Sequence, residues 1–304
     1  MIELGERTRR ISPSRLHEIL REHDVRSLVD PCMGLPTHLN YLKRHGIAVH
    51  GGDLLEWFVR VGEGIVVNDM TVLRDSEVAE IVEMLPGRIY SVDAFKAWEG
   101  VFFTEEQCVY LGVWFDNVRS LRSDGQTGLA VLGLWRVFCN WLFKTRYPDD
   151  MPDIAPSELA WTYIRETERW VMSNLQHNTV RQADVLATLS ARSADAVFFA
   201  PPARNTLRSA DARIWMWEAW WHGNPYLTLE HAYRNSLFGP RAADEHAYTH
   251  ALASVMNSAE SFPLVVVQTT EERLHDVEPP LRNARKNVDI RHYGPDEIYL
   301  VAKN

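Results

Sequence analysis

Two aspartates follow short apolar segments at a spacing that suits a nucleotide-type cofactor. Asp30 ends residues 27–30 and Asp53 ends residues 47–53, so the two carboxylates are 23 residues apart. In a Rossmann-like fold a strand, a glycine-containing turn and a helix N-terminus bind such a cofactor, and a carboxylate about 20 residues later binds its ribose hydroxyls. Gly34 lies in the intervening turn. Each aspartate alone could equally be a turn residue or a helix cap, but the pair favours a cofactor cleft.

The elements that would position these residues alternate between helix and strand. Apolar spacing predicts a helix over residues 14–22, and then, in order, a strand, a helix, a strand and a helix over 27–30, 37–45, 47–53 and 54–61. This alternation predicts an α/β fold with a parallel sheet. Four later apolar runs predict further strands, at residues 170–175, 194–199, 263–268 and 297–302.

The middle of the chain has a different pattern. From residue 68 to about residue 163 the periodicity is helical and aromatic side chains are frequent. We therefore predict one core made of residues 1–68 and 166–304, with an inserted helical lobe at residues 69–165. Four tryptophans between residues 214 and 221 predict a core or interface helix, with a base-stacking surface as the alternative.

In order and in motif, the chain resembles the Dam-like class of DNA adenine-N6 methyltransferases. Residues 29–36, Val-Asp-Pro-Cys-Met-Gly-Leu-Pro, resemble this family's loop for S-adenosylmethionine, and residues 52–54 resemble its ribose site. Residues 132–143 resemble a helix of the family, and Asp184 lies where an acidic residue faces the cofactor's adenine. The resemblance implies a Rossmann-like methyltransferase core that spans nearly the whole chain. The cofactor-binding residues it implies are Asp30, Pro31, Gly34, Asp53 and Asp184.

The departures from the family fall on functional positions. Its catalytic tetrapeptide, usually Asp-Pro-Pro-Tyr, is replaced by Ala200-Pro201-Pro202-Ala203. In the family the acidic or amide side chain accepts the target amine and the aromatic ring stacks on the flipped base, so two alanines remove both functions. Cys32 replaces the usual Phe of the cofactor loop, and Pro36 replaces its second glycine and removes a backbone N–H. Residues 1–27 contain no counterpart of the family's Gly-Gly-Lys.

Charge and composition restrict the partners. The net charge of -9 argues against duplex DNA, which usually meets a basic face. Two clusters could still form a local patch, although such clusters are usually solvated faces; they are Arg7, Arg9, Arg10 and Arg15, and Arg282, Arg285, Lys286 and Arg291. Three unpaired cysteines and the lack of a signal sequence predict a cytoplasmic protein. No membrane span is predicted, and no metal, because His246 and His250 lack the glutamate of a zinc protease.

Three functions remain open from the sequence. The first is a catalytically impaired or inactive homologue that acts as a binding or partner subunit, in a homo-oligomer or beside an active methyltransferase. The second is an active S-adenosylmethionine-dependent N-methyltransferase, on DNA or another substrate, whose amine is accepted by the backbone carbonyls of Ala200 and Pro201. The third is a purely structural or interaction protein with a closed cleft.

Overall fold

The computed structural model describes residues 11–146, 154–202, 204, 212–228, 230, 233–239, 242 and 244–303. The chain forms two compact units. The first consists of Met1–Leu54, Asn174–Thr206 and Tyr233–Asn304, and the second of Leu55–Ser173 and Leu207–Ala232. The predicted helical segment, residues 69–165, lies inside the second unit.

A seven-stranded sheet forms the centre of the first unit, in the order β3-β2-β1-β4-β5-β7-β6. Strands β1 to β5 are parallel, and β7 runs antiparallel to both of its neighbours. The first five strands have the Rossmann order, and β7 lies antiparallel between β5 and β6. The α/β fold predicted from the sequence is thereby confirmed. The strands are β1 Ser27–Asp30, β2 Ala48–Asp53, β3 Thr179–Gln182, β4 Ala196–Phe199, β5 Leu264–Thr269, β6 Asn287–Gly294 and β7 Glu297–Lys303.

Helices cover this sheet, and polar residues mark where they begin. Ser12 accepts a hydrogen bond at the start of the first helix, Asp184 does so at the start of a short helix before β4, and Asp244 at the start of the helix before β5. The apolar faces of the helices pack on strand residues such as Val197 and Val265 to form the core. The helices of this unit are α1 Pro13–Glu22, α2 Thr37–Arg44, α8 Val185–Ser190, α10 Glu245–Ser258 and α11 Leu274–Ala284.

The strand prediction at residues 170–175 is wrong. A 3-10 helix, Glu166–Trp170, occupies its beginning, and the chain then continues without strand pairing. Leu175 has a φ of +58°, which no strand residue adopts, and the Asn174 side chain donates to the carbonyl of Ile47 at 3.0 Å. The next strand along the chain is β3, which starts at Thr179. The other predicted strands are confirmed to within two residues at either end.

The described part of the second unit is helical. Its α-helices are α3 Glu56–Gly62, α4 Asp75–Val82, α5 Glu105–Val118, α6 Asp124–Arg146, α7 Pro156–Arg165 and α9 Ala212–Trp221, and a π-helix, Glu63–Val67, continues α3. Gly128 of α6 lies against this turn so closely that an added Cβ would come within 2.0 Å of the Arg60 carbonyl oxygen. Glycine is therefore required at the crossing.

The tryptophan-rich segment lies on α9 and contributes to the core of the second unit. The rings of Trp217 and Trp220 stack at 4.1 Å with an angle of 6°, and both side chains are almost fully buried. Trp220 Nε1 donates to the carbonyl of Leu111 on α5 at 2.9 Å. The core interpretation is confirmed for these residues, and they offer no surface for base stacking.

None of the helices in the described ranges has the length and apolarity needed to cross a bilayer.

Candidate functional site

The carboxyl ends of β1, β2 and β4 meet at one edge of the sheet in the first unit. The strand order reverses between β1 and β4, and ligands of open α/β sheets bind at such a switch point. Asp30 and Asp53 end β1 and β2, Asp184 follows β3, and the predicted catalytic turn follows β4. The fold therefore brings both sequence motifs to one edge.

Asp30 holds the loop after β1 from the inside. Its Oδ1 accepts the backbone N–H of Cys32 at 3.0 Å, and its Oδ2 lies 2.6 Å from His38 Nε2 on α2. Both side chains are almost fully buried. The two oxygens thus fix the position of the loop and of α2, which is a structural task. Pro31, the next residue, is buried too.

Asp53 connects the end of β2 to the same loop. Its Oδ2 accepts the backbone N–H of Gly34 at 2.9 Å, and the N–H of Met33 donates to the carbonyl of Gly52 at 3.0 Å. Gly34 has a φ of +53°, and a Cβ added to it would meet no atom within 4 Å. The outer side of the turn is therefore open next to a carboxylate, which suits the ribose of a nucleotide-type cofactor.

Pro36 replaces a glycine of the resembled family without disturbing the helix that follows. It is the residue before α2, and its carbonyl accepts the N–H of Asn40 at 3.1 Å. Its ring is buried. A proline is tolerated at a helix start because an N–H there has no partner within the helix.

Asp184 caps α8. Its Oδ1 accepts the N–H of Leu186 and its Oδ2 the N–H of Leu237, each at 3.2 Å. The contacts are those of a helix cap that also fixes a neighbouring segment.

Cys32 links the three predicted carboxylates. Burial raises the pKa of its thiol well above the usual value, and the charges of Asp53, Asp30 and Asp184, in that order, raise it further. The three aspartates therefore lie within electrostatic range of one side chain, although they are far apart in sequence. The structure thus places Asp30, Asp53 and Asp184 near the same side chain.

The turn after β4 is occupied by donors that the sequence prediction missed. Arg273 Nη1 donates to the Pro201 carbonyl at 3.2 Å, and its Nη2 donates to the Pro202 carbonyl at 2.9 Å. The hydroxyl of Tyr248 donates to the same Pro202 oxygen at 2.7 Å, and Arg273 also donates to that hydroxyl. Ala200 presents only a methyl group, and Ala203 lies outside the described residues.

Burial dominates the electrostatics of this turn. It lowers the pKa of Arg273 to about 10, against a smaller opposing effect from Asp276. It raises the pKa of the Tyr248 hydroxyl, which stays protonated and able to donate. No carboxylate of the described residues lies within 4 Å of the Arg273 guanidinium. The Arg273 guanidinium therefore lies against the carbonyls of the turn after β4.

The basic cluster near the end of the chain does not form a free cationic face. Arg282 pairs with Glu278 at 2.6 Å, and Arg291 pairs with Glu22 at 2.7 Å. Arg285 is buried and donates to two backbone carbonyls. In the first cluster Arg15 pairs with Glu297, and residues 7, 9 and 10 lie outside the described ranges.

The described residues contain no group of three or more His, Cys, Asp and Glu side chains placed to hold a metal ion. His246 and His250 both lie on α10.

Two solved structures are similar to this chain in fold. Both are of the rRNA methyltransferase aviRa from Streptomyces viridochromogenes, at 2.4 and 1.5 Å. The first is 12% identical, with 99% of this chain and 88% of that chain covered, and the second is 13% identical, with 98% and 87% covered. The TM-score is 0.37 in each case. No protein-family model and no curated protein matches the chain.

Proposed function

We propose that this chain is a degenerate relative of the DNA adenine-N6 methyltransferases, which does not transfer a methyl group to an amine and acts as a binding or partner subunit. The observation that carries the proposal is the occupation of both prolyl carbonyls, Pro201 and Pro202, by Arg273. In the resembled enzymes the amine is held at this turn by a polar side chain. Here Ala200 has no such group.

Electrostatics at the turn support the same conclusion. An amine that attacks a methyl donor becomes more positive in the transition state, and nearby negative groups or acceptor dipoles stabilise it. Arg273 adds a positive charge and engages the carbonyl dipoles at that point. Like charges at contact distance repel most strongly where water is excluded. This also weakens the alternative of an active enzyme that uses the Pro201 carbonyl to accept its amine.

In this proposal the cleft still binds S-adenosylmethionine. Asp53 would hold the ribose hydroxyls, and the open side of Gly34 would let the cofactor approach the backbone. When bound, the cofactor would supply an electrophilic methyl group. Asp53 would orient the cofactor. Asp30 and Asp184 would not contact it, because both already accept hydrogen bonds from their surroundings.

The first experiment is a methyl-transfer assay with radiolabelled S-adenosylmethionine and unmethylated duplex DNA, with an active adenine methyltransferase as positive control. We expect no incorporation above the level without protein. Incorporation that persists in the purified chain, and is lost in Asp53→Asn, would overturn the proposal.

The second experiment is calorimetry with S-adenosylmethionine and S-adenosylhomocysteine. We expect saturable binding that Asp53→Asn weakens at least about tenfold, since a charge-assisted hydrogen bond is worth roughly 1.5–3 kcal/mol. Ser190→Ala, at an exposed helix end of the same unit, is the control and should leave the affinity unchanged. Failure of binding would leave only the scaffold role.

The proposed role as a partner subunit is tested by measuring molecular mass in solution. Light scattering of the purified chain over a hundredfold range of concentration would detect a homo-oligomer, and mixing with an active methyltransferase would detect a mixed complex. The net charge of -9 makes a protein partner a better expectation than direct duplex binding. A strict monomer that forms no complex, and instead retains DNA in a salt-dependent manner, would contradict this role.

A further inference from the structure

A pocket of about 330 Å³ lies at the opposite edge of the sheet from the cofactor cleft. It is bordered by the ends of α8 and α10 and by the residues that precede β4 and β5. Four serines line it, together with Arg192 and the ring of Phe262; they are Ser190, Ser193, Ser258 and Ser261. Its volume is within the range of small-molecule sites.

Positive charge collects beside this pocket, although the whole chain is acidic. Arg192 lines the pocket, and Arg181 on β3 donates to the carbonyl of Ala187 on α8. No described carboxylate lies within 4 Å of either guanidinium. Burial lowers the pKa of Arg181, and the charge of Arg192 lowers it further. The two guanidinium groups are therefore close enough to interact electrostatically.

A histidine within the same positive field is held neutral. Burial, followed by the charges of Arg192 and His177, lowers the pKa of His50 to about 4. His50 Nδ1 lies 2.9 Å from the Thr179 hydroxyl. His50 therefore adds no positive charge to this region at neutral pH.

The four serine hydroxyls of the pocket differ in their hydrogen bonds. Those of Ser190 and Ser258 donate to helix carbonyls, at 3.2 Å to Ala187 and 2.9 Å to Ser254. Those of Ser193 and Ser261 make no hydrogen bond to any described residue. Two hydroxyl donors beside an arginine suit a tetrahedral oxyanion, which accepts several hydrogen bonds at once.

The negative groups nearby are already engaged. Asp195 Oδ2 accepts the N–H of Arg26 at 2.8 Å and the N–H of Ser27 at 2.9 Å. The carbonyls of Ala259 and Phe262, at the end of α10, accept from Arg285 at 2.6 and 2.9 Å. The charge of Glu260 acts on Arg285, whose pKa it raises against the larger lowering effect of burial.

We infer that this serine pocket binds a phosphate group, with Arg192 as the direct ion-pair partner, Ser193 and Ser261 as hydroxyl donors, and Arg181 as a supporting charge. The inference does not depend on the cofactor cleft, which lies at the other edge of the sheet. The shared chemistry of the ligand is the phosphate itself, either free or as a phosphomonoester.

The test is calorimetry on the full chain with inorganic phosphate, and separately with glycerol 3-phosphate and glycerol, all at constant ionic strength in chloride. We expect saturable phosphate binding that Arg192→Gln weakens at least about tenfold and Ser193→Ala weakens less. Tighter binding of glycerol 3-phosphate than of inorganic phosphate would identify a phosphomonoester, and the reverse order would identify free phosphate.

Arg122→Gln is the matched control, since it removes the same charge from an exposed position of the second unit. It should leave the affinity unchanged. Near-ultraviolet circular dichroism would show that each variant is folded. Absence of saturable binding in the wild-type chain, or equal affinities in Arg192→Gln and Arg122→Gln, would overturn the inference.

Discussion

Arg273 donates to the carbonyl oxygen of Pro202 at 2.9 Å, across 71 positions of sequence. The same guanidinium reaches Pro201 and the hydroxyl of Tyr248. One arginine on the turn before α11 thereby fixes the segment that follows β4. The same contact therefore fixes the position of the turn after β4 and places a guanidinium next to its carbonyls.

The first prediction concerns this contact. Arg273→Ala leaves partly buried carbonyls with fewer donors, and an unsatisfied buried polar group costs about 1–3 kcal/mol. We expect the free energy of unfolding, measured with urea, to fall by that amount. Arg282→Ala, which removes an exposed i, i+4 pair with Glu278, should cost only about 0.3–0.5 kcal/mol. Equal losses in the two variants would mean that Arg273 does not hold the turn.

The sequence predicted the strands that are apolar and paired on both sides, such as β1 and β4. It did not predict β3 and β6, because both are edge strands with polar residues and mixed exposure, for which the apolar pattern is weak. The residues of the candidate site also divide into those that the sequence predicted and those that it did not. Asp30, Asp53 and the Pro-Pro turn follow predicted strands, so their positions could be anticipated.

Tyr248 and Arg273 could not be anticipated in the same manner. They are 46 and 71 positions from Pro202, on elements whose packing alone brings them to the turn. The hydrogen bonds of Asp30 and Asp184 also depend on partners that are distant in sequence or on another element, His38 and Leu237.

The second prediction concerns the buried pair of Asp30 and His38. Asp30→Ala removes the acceptor for both the Cys32 N–H and the His38 ring, and a buried donor left without an acceptor costs about 1–3 kcal/mol. Thermal unfolding of the first unit should shift accordingly. Glu18→Ala, at an exposed position of α1, is the comparison. A similarly small effect in both variants would show that Asp30 is dispensable to the loop.

The third prediction concerns the helix crossing in the second unit. Gly128→Ala would place a Cβ 2.0 Å from a backbone oxygen of Arg60, which cannot move without shifting the helix. We expect a loss of at least about 1–3 kcal/mol in unfolding free energy. Gly125→Ala, in the same helix, meets only the side chain of Asn68, at 3.0 Å, and should change stability by less than about 1 kcal/mol.

The fourth prediction concerns pH. The hydrogen bond from His222 Nε2 to the Glu218 carboxylate raises the pKa of His222 above its ordinary value of 6.5, and Glu218 also accepts the N–H groups of Glu56 and Trp57 at the start of α3. Because the folded pKa is raised, the stabilisation is complete below pH 6.5 and is lost as pH rises through the folded value.

The melting temperature of the second unit should therefore fall between pH 6 and pH 8, and His222→Gln should reduce that slope. The partial exposure of His222 limits the size of the effect. A slope that is the same in both proteins would assign it to other groups.

The fifth prediction uses the reactivity of the cysteines to test whether the loop of residues 31–36 is closed to solvent. Burial raises the pKa of Cys32, and three carboxylates raise it further; burial raises that of Cys108 to about 11, and Cys139 is buried. Since the thiolate is the reactive form, none of the three should react rapidly with a thiol reagent at pH 8 in the native protein, and all three should react after unfolding. Rapid native labelling at Cys32 alone would show that residues 31–36 open to solvent. In that case the hydrogen bond from Gly34 to Asp53 would not keep the loop closed, and cofactor affinity would have to be sought in the open form.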